Sequence, residues 1–160
     1  MSNHTNSFRT FISLVLISII SLALIGCGSK NKKTSYMLST VAKQATVKKT
    51  NFNYELIIKK RDISSVVVFA DRPKRNVNNI TVADLKSLWL KDQKKFKKNP
   101  PHAVLSGKTY PTTVVEVTGM VVHSDDVHFQ IKSMNGKTIK PVKNIQNVVL
   151  TIDNSSKKKS

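Results

Sequence analysis

The sequence predicts a mainly β fold: a small β-sandwich or a partly open barrel, with one short α-helix at about residues 81–96. Two observations lead to this class. Apolar residues alternate with polar ones in several short stretches that end at turn residues, which is the pattern of half-buried strands. Apolar residues at helical spacing occur in a single stretch. The chain has 160 residues, and we expect one domain of about six or seven strands.

The first predicted strands lie between residues 46 and 70. One of them carries apolar residues at every second position: Phe52, Tyr54, Leu56 and Ile58. Glu55 falls on the opposite side of this strand, which we expect to face solvent. After a turn at residues 60–62, residues 66–70 are continuously apolar, which is typical of a strand buried on both faces. We therefore expect that strand near the centre of the sheet.

The predicted helix has recognisable ends. Thr81 is a suitable N-cap, and Asp84 three residues later complements the positive end of the helix dipole. Four residues form its apolar stripe: Val82, Leu85, Leu88 and Trp89. The Asn-Pro-Pro sequence at residues 99–101 ends the helix, because proline lacks the backbone donor and clashes with the preceding turn.

The C-terminal part predicts further strands. Residues 103–105 form a short one, and residues 112–122 alternate except at Gly119, which predicts a β-bulge. A polar turn at residues 123–126 precedes the next strand, and Asn-Gly at 135–136 predicts a hairpin. The last strand includes residues 148–152. Twelve residues form the expected core: Phe52, Tyr54, Leu56, Val66, Val68, Leu85, Trp89, Val115, Val117, Phe129, Ile131 and Leu150.

The N-terminal region has the pattern of an export signal. Residues 1–10 are polar with one positive charge at Arg9, and residues 11–25 are almost wholly apolar. This apolar run is shorter than the roughly 20 residues of a membrane-spanning helix. Small residues then surround Cys27, the single cysteine of the chain. The pattern favours a cleaved signal over a permanent transmembrane helix.

Residues Leu24, Ile25, Gly26 and Cys27 resemble the lipobox of bacterial lipoproteins position by position. The resemblance implies lipidation of Cys27 through a thioether, cleavage before it, and acylation of the new amino terminus. In the alternative reading, Cys27 is a small buried hydrophobe in an uncleaved helix. We expect a signal peptide at 1–26, a flexible basic tether at 27–45, one β-rich domain at 46–153 and a lysine-rich tail at 154–160.

Lipidation of Cys27 limits the location and the chemistry. The lipid is the single cofactor that we expect, and no thiol is left for a disulfide or a nucleophile. Gly28 follows the cysteine instead of the Asp that retains lipoproteins in an inner membrane. By resemblance to sorted lipoproteins, this favours the outer membrane, facing the periplasm, in a cell with two membranes.

The chain is strongly basic, with 27 Lys and Arg against 9 Asp and Glu. Such a charge attracts anionic polymers and anionic bilayer faces. The alternative explanation is that the charge only keeps the protein soluble. The candidate polyanion contacts are Lys91, Lys94, Lys95, Lys97 and Lys98. Export and the scarcity of aromatic stacking residues near this lysine run argue against specific nucleic-acid binding.

A charged segment follows the most apolar predicted strand. Residues 69–75, Trp89, Phe96 and residues 100–105 together resemble an uncharacterised family of exported bacterial proteins with the pattern F-x-D-R-P-x-R, W, and F-x-x-x-P-P-N-A-x-L. This chain has His102 at the Asn position of that pattern. Asp71, Arg72 and Arg75 form a candidate recognition loop, because guanidinium groups bind carboxylates and phosphates. The alternative is a structural corner.

Catalytic motifs are absent from the sequence. It has no nucleophile elbow, no His-Glu-x-x-His and no phosphate-binding glycine loop. Glu55 and Glu116 lie within predicted strands, and nothing in the sequence identifies them as a pair of catalytic carboxylates. We therefore expect a protein that is not an enzyme.

The histidines favour a further hypothesis, a zinc or copper site. His123, Asp125, Asp126 and His128 surround one turn, with His102 as a remote fourth candidate. The same residues are also explained by ordinary turn chemistry.

These observations predict a membrane-anchored envelope lipoprotein that acts as a non-catalytic binding or accessory module. The expected partner is an envelope protein or an anionic polymer. Two alternatives stay open: an electrostatic binder of anionic envelope polymers or lipids, and a periplasmic metal-binding protein that uses His123 and His128.

Overall fold

The computed structural model of the chain describes residues 35–70, 75–134 and 138–154. Within these ranges the elements are eight strands, one α-helix and one 3₁₀ turn. They are β1 (Tyr36–Lys49), β2 (Tyr54–Lys59), the 3₁₀ turn (Lys60–Asp62), β3 (Ile63–Ala70), β4 (Asn76–Asn79), α1 (Val82–Lys98), β5 (His102–Gly107), β6 (Tyr110–Val122), β7 (Asp126–Ser133) and β8 (Val142–Asp153).

Six of the strands close into an antiparallel barrel. The order around the barrel is β1, β2, β7, β6, β5, β8 and back to β1. The long β1 makes this closure possible, because it pairs with β8 along one edge and with β2 and β3 along the other. The mainly β class with one helix is confirmed, and the barrel is closed. Closure removes the free strand edges that an open sheet would expose.

β3 and β4 lie outside the barrel. They continue the sheet from the first half of β1, and we call these two strands the wing. The register of β1 shifts between Val41 and Ala42, where β3 pairing ends, and β1 pairs with β2 from Thr46 onward. A register irregularity of this kind bends a strand. The first half of β1 therefore pairs with the wing, and its second half pairs with β2 and closes the barrel.

The barrel interior follows from strand alternation. Phe129 and Ile131 of β7 point inward, as predicted, together with Val127, and Val148, Leu150 and Ile152 of β8 do the same. The predicted bulge at Gly119 is confirmed as a register shift between β6 and β7. β8 contains a second irregular region, where Asn144 and Asn147 adopt positive φ. Asn tolerates this backbone conformation better than most residues.

The helix α1 adds a second layer to the core. It begins with a capping box, in which the Thr81 side chain accepts from the Asp84 backbone and the Asp84 side chain accepts from the Thr81 backbone. Leu85, Trp89 and Phe96 are buried, and the Trp89 and Phe96 ring centroids lie 4.6 Å apart. The predicted helix is confirmed and extends two residues further, to Lys98.

A polar cluster joins α1 to the two ends of the described barrel chain. The Tyr36 hydroxyl donates to Asp92, and the Asn154 side chain donates to Asp92 at 2.8 Å. Lys95 Nζ donates to the backbone and side-chain oxygens of Asn154 at 2.8 and 2.6 Å. Because Tyr36 begins β1 and Asn154 follows β8, this cluster fixes the second half of the helix against both strands.

The predicted tether at 27–45 is wrong for its second part, because β1 begins at Tyr36. The hydropathy alternation of β1 is weak for a physical reason. Its inward positions include Thr40, Ala42 and Ala45, which are small or polar yet buried. The tail is also shorter than predicted, since Asn154 is only 4% exposed and hydrogen-bonded. The rest of the tail and residues 135–137 of the expected hairpin lie outside the described residues.

Two predictions about the core are wrong. Phe52 is 94% exposed, because it lies in the turn in which the Thr50 backbone donates to Asn53. The run at residues 66–70 is not a central strand: it belongs to the wing, and of its residues only Val66 is buried. Tyr54 and Val68 are partly buried and pack against the core. The other nine predicted core residues are buried.

The described residues contain no helix that is both long enough and apolar enough to cross a membrane.

Candidate functional site

The turn between β6 and β7 presents a group of ionisable side chains on a fixed backbone. The His123 backbone donates to the Asp126 carbonyl at 2.9 Å, which closes the hairpin. Lys60 of the 3₁₀ turn makes two further hydrogen bonds to the β6–β7 turn. Its backbone donates to the Asp125 carbonyl at 2.8 Å, and its Nζ donates to the Ser124 carbonyl at 2.9 Å. Backbone bonds on both sides therefore hold this turn in place.

His128 is the centre of the group. It lies on β7 between inward-facing Val127 and Phe129, so its ring points to the outer face of the barrel. Its Nδ1 atom is 2.9 Å from Glu55 Oε1 on the neighbouring β2, and its Nε2 atom is 3.0 Å from Asp126 Oδ1. Each ring nitrogen thus faces one carboxylate.

The two carboxylates change the acidity of this imidazole. Burial, the largest single influence, lowers the pKa of His128. The hydrogen bonds and negative charges of Glu55 and Asp126 together outweigh burial, so the pKa is raised above its usual value. The arrangement favours an imidazolium between the two carboxylates.

His123 completes the group. Its ring meets the His128 ring edge-on, with centroids 4.6 Å apart. One ligand atom from each of His123, Asp126 and His128 lies within 4.8 Å of the others. The structure thus brings together the two histidines that the sequence nominated.

The structure places the other predicted ligands differently. Asp125 is not part of this group, because it remains in the turn with its carboxylate 3.4 Å from Ser124 Oγ. Asp126 and His128 share a face because β7 begins at Asp126. His102 lies at the start of β5, paired with Glu116 and Asp153, and is not in the group either.

Glu55 is the residue that sequence reasoning missed. Alternation placed its side chain on the outer face, which is where it lies, but it is half-buried there and bonded to His128. The pairing of β2 with β7 sets Glu55 opposite Gln130, one diagonal step from His128. Only the register between two strands distant in sequence reveals this neighbour.

A second surface feature lies on the wing. Met37 of β1, Phe69 of β3 and Val77 of β4 are direct cross-strand neighbours and form one apolar row. They are 43%, 37% and 66% exposed. Beyond them β4 has a pairing partner on one side only among the described strands. The wing therefore exposes an apolar row next to a free strand edge.

The candidate recognition loop is described at Arg75 only. Ala70 and Asn76 are paired, so residues 71–75 connect the ends of β3 and β4. Arg75 is exposed directly before β4. Asp71 and Arg72 lie outside the described residues, as does the proposed lipidation site Cys27.

The lysine run of α1 divides into two kinds of residue. Lys95 is held by Asn154, which gives it a structural role in the helix–barrel cluster. The remaining four of the candidate polyanion contacts are exposed: Lys91, Lys94, Lys97 and Lys98. These four lysines are therefore the ones accessible to an anionic surface.

Comparison of the chain with protein-family models, with curated proteins and with solved structures finds no match.

Proposed function

We propose that this protein is a lipid-anchored, non-catalytic binding module of a bacterial cell envelope. The observation that carries the proposal is the lipobox-like sequence ending at Cys27, followed nine residues later by the first barrel strand at Tyr36. Nine residues span at most about 30 Å when fully extended. A lipid on Cys27 would therefore keep the start of β1 close to the membrane surface.

The anchor-proximal end of the domain carries the features suited to binding. Tyr36 pairs with Ala70 and Ala70 with Asn76, so the end of β3, the start of β4 and the preceding Arg75 lie beside the start of β1. The apolar row of Met37, Phe69 and Val77 lies at the same end. Exposed apolar residues that adjoin one another favour protein contact, and a free strand edge accepts an added strand. We propose a second envelope protein as the partner of this wing.

Site-specific photo-crosslinking in native membranes tests this assignment. A crosslinker at position 77 is expected to capture a defined partner. The same group at position 114, an exposed valine on β6 of the barrel, is the matched control. Val77→Asp is expected to abolish co-purification of that partner, while Val114→Asp preserves it. Equal capture from both positions, or none from position 77, contradicts the wing as the binding surface.

The exposed lysines of α1 favour a second candidate function, electrostatic contact with anionic lipid. Lys95 contacts Asn154, and the Asn154 backbone donates to Tyr36 at 3.0 Å, so the last turns of α1 are also at the anchor-proximal end. Lysines near an anionic bilayer contribute about 1 kcal/mol each. This contact is expected to weaken as salt screens the charges.

Vesicle sedimentation tests the electrostatic candidate. The mature chain carrying Cys27→Ser is expected to bind vesicles rich in anionic lipid at low salt and to be released by added salt. Replacing Lys97 and Lys98 with Glu is expected to weaken binding more than the same changes at Lys140 and Lys143. The control pair is exposed near the start of β8, about ten strand residues from the β8 end that meets Tyr36. Binding that does not respond to salt contradicts this candidate.

A further inference from the structure

The outer face of the barrel at β2 and β7 holds three groups of metal-ligand type. His123 and His128 supply imidazole nitrogens and Asp126 a carboxylate oxygen. Imidazole combined with carboxylate is the donor set of zinc and copper(II) sites, whereas calcium and magnesium take oxygen donors alone. The chemistry of the cluster thus points to a borderline divalent cation.

The distances are close to those that such a cation needs. In a tetrahedral site with metal–ligand bonds of about 2.1 Å, the ligand atoms are roughly 3.4 Å apart. Here His128 Nε2 and Asp126 Oδ1 are 3.0 Å apart, and all three ligand atoms lie within 4.8 Å of one another. Tetrahedral binding would require the exposed His123 ring to turn, so that its nitrogen approaches the other two ligand atoms.

Glu55 supplies the outer support that metal-binding histidines require. A histidine that binds a metal through one ring nitrogen donates the other N–H to a carboxylate or carbonyl, which fixes its tautomer and orientation. Glu55 Oε1 lies 2.9 Å from His128 Nδ1, so a proton on Nδ1 leaves the Nε2 lone pair directed toward Asp126. Glu55 is on a different strand from the three ligands, which holds the ring from across the sheet.

The charge around the cluster is compatible with a cation. Two carboxylates, Glu55 and Asp126, flank His128. Two lysines adjoin the cluster: Lys60 Nζ donates to the Ser124 carbonyl, and Lys59, whose register partner is Asp126, is exposed. A divalent cation would supply positive charge between these carboxylates.

We propose that this cluster is a zinc-class metal site with His123, Asp126 and His128 Nε2 as ligands. Glu55 is a positioning residue that orients His128, and water completes the coordination. The site is independent of the wing and of the lipid anchor. It gives the envelope module a bound divalent cation on its outer surface.

Calorimetric titration with zinc ions tests the site. We would use the full chain carrying Cys27→Ser, purified in detergent and freed of metal with a chelator, so that its single thiol cannot bind zinc. One ion per chain is expected. His123→Ala is expected to lower the affinity at least tenfold, and Glu55→Ala to lower it by about 10–100-fold at unchanged stoichiometry. Cobalt(II) should give the intense visible absorption of a four-coordinate site.

Two residues of the same chemical types outside the cluster provide matched controls. Asp125→Asn changes the adjacent carboxylate of the same turn, and His102→Ala changes the histidine on β5; both are expected to bind zinc like the parent chain. Circular dichroism of each metal-free variant verifies its fold, and His123 is exposed in a turn where Ala is tolerated. Absence of saturable binding overturns the proposal. A loss with Asp125→Asn or His102→Ala equal to that with His123→Ala also overturns it.

Discussion

At the residue scale, the contact between Tyr36 and Asp92 shows how a few polar atoms fix the helix to the barrel. Burial, followed by the hydrogen bond to Asp92, raises the pKa of the Tyr36 hydroxyl, so the tyrosine remains a donor. Burial is the largest single influence on Asp92 and raises its pKa, but the hydrogen bonds from Tyr36 and Asn154 and the positive charges of Lys95 and Lys91 together outweigh it, so the pKa is lowered. The stable pairing is therefore a neutral phenol with a carboxylate.

Tyr36→Phe tests the strength of this contact. It removes one donor from a partly buried carboxylate, and a hydrogen bond to a charged group is worth about 1.5–3 kcal/mol. Because Asn154 still donates to Asp92, we expect the free energy of unfolding to fall by about 1–2 kcal/mol. Urea unfolding measures it. Tyr54→Phe is the control, since the Tyr54 hydroxyl has no hydrogen bond within the described ranges, and a similar loss in both variants contradicts the assignment.

The lowered pKa of Asp92 also predicts how stability depends on pH. The folded pKa lies below the unfolded value of about 3.9, so the contribution of Asp92 is present above that value. It is lost as the pH falls through the folded pKa. Asp92→Asn is therefore expected to be less stable at neutral pH and to lose less stability between about pH 5 and pH 3. Parallel pH curves for both proteins contradict this.

Two glycines provide a matched test of backbone packing. A Cβ atom on Gly107 would lie 2.5 Å from Ile145 Cγ2 and 3.1 Å from the Gln146 carbonyl, so core and backbone would have to shift. On Gly119 it would meet the end of the Gln130 side chain, which is able to move. We expect Gly107→Ala to destabilise by about 1–3 kcal/mol and Gly119→Ala by less than about 0.5 kcal/mol. Thermal unfolding of both variants measures the difference, and a larger loss at Gly119 contradicts it.

At the scale of the elements, α1 depends on its capping box as well as on its buried face. Asp84 accepts hydrogen bonds from the Thr81 side chain and backbone, which lower the pKa of its carboxyl. Thr81→Ala is expected to lower the free energy of unfolding by about 1 kcal/mol. Ser87→Ala, in the helix interior, is the control and is expected to be neutral or slightly stabilising. Equal effects of the two changes on the denaturation midpoint contradict a capping role.

The sequence predicts some of the helices and strands well and others poorly. α1, β7 and β8 have strong periodicity, because one face of each contacts the core and the other contacts solvent. The first half of β1 is not predicted, because its buried inward positions include Thr40, Ala42 and Ala45, which are small or polar and weaken the hydropathy alternation. β3 has the composition of a central strand, but its place in the wing depends on pairing with the distant β1.

In the candidate metal cluster, too, the sequence predicts some of the residues and not others. The sequence predicts His123 and His128 as metal ligands because they flank one turn. Asp125 and Asp126 are both candidates from the sequence, and the start of β7 determines that Asp126 is the one that shares a face with His128. Glu55 became visible only through the pairing of β2 with β7. Local spacing therefore predicts the ligands of a hairpin, whereas the supporting residue depends on the register of a non-local strand pair.

At the scale of the whole molecule, the central proposal is a closed barrel tied to a membrane by a short segment after Cys27. Because β1 begins at Tyr36, the segment is half as long as the sequence suggested, and the anchor-proximal end of the domain includes the wing. Surface contacts at that end would form at the bilayer, whereas the β2–β7 cluster lies on the outer face of the barrel. Anchoring and metal binding are separable in experiment.

The most direct test is intact-protein and peptide mass spectrometry of the protein isolated from bacterial membranes. The mature chain is expected to start at Cys27, to lack residues 1–26, and to carry a thioether-linked diacylglyceryl group with a further acyl chain on the amino terminus. Cys27→Ser is predicted to remain unprocessed and unlipidated. A chain that retains residues 1–26 with an unmodified Cys27 would contradict lipid anchoring through Cys27. A Cys27→Ser variant that is still processed and acylated would contradict it too.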